Sequence, residues 1–143
     1  MMMSQQSAFL ANNAIKTEPL KITVSPRFVG EDGVPVEWLI GPITGAEDEE
    51  LRREATRRVP ASNGRGGFVS ETDTNQYLGL LAARCTLFPD LDDAELQNSY
   101  GVMSADDLLK TMLTAGEFAE YAARVQEVCG FDMAEAVEEA KKP

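Results

Sequence analysis

Residues Leu87–Phe131, LFPDLDDAELQNSYGVMSADDLLKTMLTAGEFAEYAARVQEVCGF, decide the fold. Their spacing predicts three consecutive helices separated by two turns. Asp92 stands where a cap belongs and Glu95 follows at capping-box spacing, with Leu91 and Leu96 flanking the pair as a hydrophobic staple. Gly101 after Tyr100 ends this helix. Ser104 offers the next cap, with Asp106 and Asp107 in a first turn whose dipole favours negative charge. Leu108, Leu109, Met112 and Leu113 then line one face at helical spacing. Gly116 reads as the next break, and Phe118, Tyr121, Ala122, Val125 and Val128 build the following apolar stripe. Gly130 is placed to close that helix in a left-handed conformation, with Phe131 as the accompanying apolar contact.

Working outward, the helical block extends back to Asp73, giving residues 73–131. Asp73 and Gln76 have capping-box spacing, Tyr77, Leu78, Leu81 and Cys85 share a face, and Pro89 ends that region. Beyond Phe131, Asp132 is expected to cap a short final helix bearing Met133, Ala136, Val137 and Ala140. Before the block, Val59 to Thr72 breaks the pattern, and a flexible loop is expected over about residues 60–72, centred on Ala61-Ser62-Asn63-Gly64-Arg65-Gly66-Gly67. This loop lacks the Gly-Lys-Ser/Thr ending of a phosphate-binding loop, and no clear strand precedes it.

Further upstream, Thr44 and Glu47 form another capping box. Glu47, Asp48, Glu49 and Glu50 open a helix that Arg52, Arg53, Arg57 and Arg58 close, with Asp48–Arg52, Glu49–Arg53 and Glu54–Arg58 as pairs four apart. Leu51 and Ala55 are its apolar interior positions, so this helix should lie mostly exposed. Leu20, Ile22 and Val24 alternate with polar residues, as do Val34, Val36, Trp38 and Ile40, and Gly30-Glu31-Asp32-Gly33 lies between them. The pair reads as a β-hairpin with edge-like ends at Pro26 and Pro35 and with Trp38 as its core anchor. A lone hairpin is marginal, so it must pack on helices or pair with further strands. Ser7 to Ala14 is expected to form a short helix held over the core by Phe9 and Leu10. The expected fold is α+β, mainly α: residues 1–143 as one domain, with an N-terminal β-hairpin packed on a C-terminal block of short helices.

Composition removes whole classes of chemistry. The chain has no histidine, which excludes Cys-His zinc sites and His-dependent triads. Its two cysteines, Cys85 and Cys129, lie far apart in sequence without metal spacing and read as buried free thiols. Asp90, Asp92 and Asp93 begin like a calcium loop, but Ala94 occupies the next ligand position. No Gly-x-Ser-x-Gly nucleophile elbow occurs. No catalytic, cofactor-binding or metal residue is therefore assigned, and a non-enzymatic role is expected. A net charge of -11 repels phosphate backbones, so nucleic acid is not an expected partner. That charge favours solubility and suits a basic partner. No apolar stretch approaches the ~20 residues that span a bilayer, and MMMSQQSAFL does not read as a signal peptide. No membrane partner is expected.

The stretch YLGLLAARCTLFPDLDDAELQNSYGVMSADDLLKTMLTAGEFAEYAARVQEVCGF resembles the XkdN-like phage tail assembly chaperones. The most specific parts are AELQNSYGVMSADDLL and the closing VCGF. Weaker resemblance runs upstream through VSPRF, the Pro42 to Thr44 tripeptide and ETDTNQYL. The resemblance implies a chaperone made from a phage or prophage in the host cytoplasm. It would hold the tape measure protein soluble, assist tail tube assembly, and be absent from the mature virion. It implies no cofactor. It also implies that a longer, frameshifted form recruits the tail tube protein, and the Lys141-Lys142-Pro143 ending is compatible with a slippery codon run. Two other readings are a structural tail component and an acidic regulator that covers a basic surface. Tyr100, Met103, Met112, Phe118, Tyr121 and Phe131 concentrate aromatic and flexible apolar area, and form the candidate partner-binding set.

Overall fold

The computed structural model describes residues 5–131. The three helices expected in the deciding stretch are present: α3 (Ala94–Tyr100), α4 (Ala105–Met112) and α5 (Ala115–Val128). They follow α1 (Gly45–Glu54) and α2 (Thr74–Cys85). Three short strands, β1 (Leu20–Ile22), β2 (Trp38–Ile40) and β5 (Thr86–Phe88), make an antiparallel sheet in the order β1-β2-β5. Two more, β3 (Thr56–Pro60) and β4 (Phe68–Thr72), form a separate antiparallel ribbon. The architecture is mixed α+β.

Helix ends are set by local chemistry. Thr44 and Thr114 each make a full capping box, with Glu47 and Glu117 respectively. Ser104 caps α4 through the Asp107 amide. α3 ends at Gly101 (φ 70°), and the amides of Val102 and Gly101 return to the carbonyls of Gln97 and Asn98. α5 ends the same way: Phe131 and Gly130 donate to Gln126 and Glu127, closing the motif expected there.

Several expectations are corrected. The cap of α3 is Asp93, not Asp92: the Asp93 carboxylate accepts the Leu96 amide, and Asp92 lies in the turn before the helix, where its amide donates to the Asp90 carboxylate. Gly116 lies inside α5, where a first-turn glycine costs little, and the break falls at Leu113 with Thr114 as the cap. At Asp73 only the forward bond to Gln76 forms. α2 stops at Cys85, and the residues before Pro89 pair with β2 instead of extending the helix. Arg57 and Arg58 belong to β3, so α1 ends at Glu54 and the expected Glu54–Arg58 helical pair does not form. Asp48–Arg52 and Glu49–Arg53 do form, at 2.9 and 3.9 Å.

The loop expected over about 60–72 is confined to residues 61–67, because β-formers on either side pair as Val59↔Val69 and Thr56↔Thr72. At the other end, β1 and β2 pair antiparallel over residues shorter than the alternation suggested. Val24, Val34 and Val36 lie outside them, and Val29 makes an isolated bridge with Pro35. Ser7 to Ala14 yields only a 3-10 turn at Gln6–Phe9, with Phe9 and Leu10 exposed and no lid over the core. The short helix expected after Phe131 lies outside the described residues.

One core joins the sheet to the helices. Trp38 and Ile40 from β2, Leu51 and Ala55 from α1, Leu81 and Cys85 from α2, Leu108 and Leu109 from α4 and Val125 from α5 are buried together. Trp38, 2% exposed, meets the Tyr121 ring edge-on at 5.2 Å between centroids. Such a pair adds about 0.5–1.5 kcal/mol to the area it buries. α1 docks on α2 through a polar seam. Asp48 accepts from the Tyr77 hydroxyl, and Arg52 stacks over the Tyr77 ring at 4.4 Å. Burial, with the Asp48 bond, pushes the Tyr77 hydroxyl pKa up, so it remains a neutral donor.

Candidate functional site

The candidate site is an apolar groove of about 390 Å³ between the sheet and the helical block. Trp38 of β2 lies at its base. Phe28, Val29 and Val36 come from the β1–β2 connection, Phe88 and Pro89 from the end of β5, Leu96 from α3 and Met112 from α4. Val29 and Phe88 are half exposed, so large apolar side chains face solvent at the groove mouth.

The wall formed by the β1–β2 connection is tied down at Arg27. Its guanidinium donates to the Met112 carbonyl at 2.8 Å and to Glu117 Oε1 at 2.6 Å, and it stacks on Phe28 at 4.9 Å. Glu117 Oε1 also accepts the Thr114 amide at 2.9 Å, so one carboxylate caps α5 and anchors Arg27. Donation from Arg27, then Ser25, then the Thr114 backbone lowers the Glu117 pKa to about 2. The Arg27 pKa is raised in turn, chiefly by the same bond. The groove wall is thus held by a pair that stays charged.

A second hollow, also about 390 Å³, lies between α2, α4 and the start of α5, lined by Leu78, Leu113 and Phe118 among others. Lys110 reaches across beside it to the Asn75 carbonyl at 3.2 Å.

The fold scatters the six candidate residues expected from sequence. Met112 is buried in the core and contributes to the groove. Tyr121 is buried against Trp38, and its hydroxyl bonds Thr86 at 2.6 Å. Phe118 is partly buried and lines the second hollow. Tyr100 and Phe131 are partly exposed, and Met103 is 95% exposed on the α3–α4 connection. Arg27, Phe28, Val29, Val36, Phe88 and Pro89 were not among the candidate binding residues read from sequence. The isolated aromatics of RFVG and LFPD were the available signal, but only tertiary contact brings them together. Among the described residues, no group of three or more His, Cys, Asp or Glu side chains is placed to hold a metal ion. No helix there is long and apolar enough to cross a membrane. The arrangement offers an apolar recess with a fixed cation at its edge, which suits binding an apolar segment.

Residues 7–141 match the family described as phage XkdN-like tail assembly chaperone protein. The chain is 30% identical over 139 residues to the phage-like element PBSX protein XkdN of Bacillus subtilis (strain 168), covering 94% of this chain and 92% of that one. It is also 30% identical over 139 residues to the uncharacterized protein YqbN of the same strain, covering 95% and 91%. The crystal structure of the protein YqbN superposes with a TM-score of 0.75 at 24% identity, covering 92% of this chain and all of that one. That likeness speaks for the fold.

Proposed function

The chain belongs to the phage XkdN-like tail assembly chaperone family, and from that premise we propose that it binds the tape measure protein during tail assembly. The observation that carries this reading is the groove: an open apolar recess on a chain of net charge -11. A long helix-rich partner exposes apolar stripes that self-associate unless covered. An amphipathic helix laid in a groove buries such a stripe through anchors on one face. The net negative charge of the chain then favours solubility of the complex.

Met103 supplies a flexible apolar contact on the connection between the helices that contribute Leu96 and Met112. Tyr100 and Phe131 are the other partly exposed members of the candidate set, and we assign them contacts outside the groove. Met112 acts from the groove interior, Phe118 from the second hollow, and Tyr121 through the packing of Trp38. The protein works in the host cytoplasm, assists the meeting of tape measure and tube subunits, and leaves before the particle is complete.

Co-expression tests this. The tape measure protein should be soluble and co-purify with the wild-type chain, and should move to the insoluble fraction when the chain is omitted. The variant Met103→Asp, whose side chain has almost no contacts to lose, should fold normally and retain less partner. A tape measure protein equally soluble without the chain would overturn the reading. Finding the chain in purified virions by mass spectrometry would favour a structural tail component instead.

A further inference from the structure

The two cysteines, 44 positions apart, meet in the fold. Cys85 is the last residue of α2 and is fully buried; Cys129 caps α5 and is partly exposed. Both are free thiols, and their Sγ atoms lie 3.3 Å apart. The end of α2 is tied to α5 a second time by the Thr86–Tyr121 hydrogen bond at 2.6 Å, one residue after Cys85 and eight residues before Cys129. Thr86 donates onward to the Ala82 carbonyl, so Tyr121 is the donor in that bond. Sulfurs already in contact at 3.3 Å need approach only about another 1.3 Å to reach the ~2.05 Å of a disulfide.

We propose that Cys85 and Cys129 form a covalent modification site, closed to an intramolecular disulfide by exchange with a small-molecule disulfide of the glutathione class. Cys129, the more accessible sulfur, attacks first as its thiolate. One external sulfur becomes bonded to Cys129, and the other leaves as a thiolate that takes up the proton Cys129 lost. Cys85 then attacks the Cys129 sulfur of this mixed disulfide. The second external thiol departs with the Cys85 proton. Two protein thiols are oxidised by two electrons, and one external disulfide is reduced to two thiols. The order agrees with burial, which pushes the Cys85 thiol pKa up, as does its bond to Cys129, and so makes it the poorer first nucleophile.

The closed bond would encircle the segment carrying Phe88, Leu96 and Met112, three of the groove residues. Reducing conditions keep the pair open and the segment untethered. An oxidising medium ties the C-terminal ends of α2 and α5 together.

The test uses the wild-type chain with oxidised glutathione. Intact-mass measurement should show the loss of two hydrogens in the monomer, and a thiol titration in denaturant should find no free thiol. The melting temperature should rise by about 10 °C relative to the reduced chain, as expected for a bridge closing a loop of this length. Cys85→Ser should accumulate one stable glutathione adduct at Cys129, whereas Cys129→Ser should react at least tenfold more slowly. Persistence of both thiols, accumulation of a doubly modified chain, or covalent dimers in place of the closed monomer would each overturn the proposal.

Discussion

Arg27 and Glu117 are far apart in sequence, and their bond sets one wall of the groove. Glu117 has an ordinary pKa of 4.5 that folding lowers to about 2. A carboxyl lowered on folding stabilises the native state above its unfolded value. That contribution is lost as pH falls from about 4.5 through about 2. Because the Arg27 side chain is half exposed, the effect is that of a screened pair and modest in size. Glu117→Gln keeps a side chain able to accept the Thr114 amide but removes the charge. Its melting temperature should lie below that of the wild type at neutral pH, and the gap should close as pH approaches about 2. Thermal melts across acid pH check this; a gap of constant size would mean that the charge of Glu117 does not contribute.

At the scale of elements, the most separable part is the β3–β4 ribbon. Its strands are mostly exposed, Phe68 included, and Arg58 stacks over that ring at 5.1 Å. Gly64, Gly66 and Gly67 between them all have positive φ, which fits a tight connection and explains the glycine density there. The loop is therefore the first site expected to yield to trypsin, at Arg65, before any bond in the helical block is cut. A time course resolved by mass spectrometry decides it, and simultaneous cleavage within α2 or α4 would contradict it.

What could be read in advance was local. Ser104, Thr44 and the Gly101 and Gly130 stops were legible because caps and left-handed closures depend on residues within one turn. The cap of α3 slipped by one because Asp92 and Asp93 are chemically equivalent candidates, and only the Asp90 turn separates them. The β3–β4 ribbon was hidden because its arginines continue the charge pattern of α1 while its pairing partner lies beyond a glycine-rich loop. β5 was hidden because Thr86 to Phe88 directly follows a helix, and its pairing with β2 is a long-range event.

Over the whole molecule, acidity and helical content were plain from the sequence, and the groove was not. Its walls come from the β1–β2 connection, β5, α3 and α4, and no single stretch carries its pattern. The aromatic and Met positions visible in the helical block divide between core and surface according to burial, which periodicity cannot assign. The central claim is that this groove receives an apolar helical segment of the tape measure protein. The most direct measurement is the calorimetric affinity of a soluble tape measure fragment for the chain carrying Val29→Asp with Phe88→Asp, two half-exposed positions at the groove mouth. With the circular dichroism spectrum unchanged, the expected result is at least tenfold weaker binding than wild type, about 1.4 kcal/mol. Wild-type affinity in that folded double variant would contradict the account.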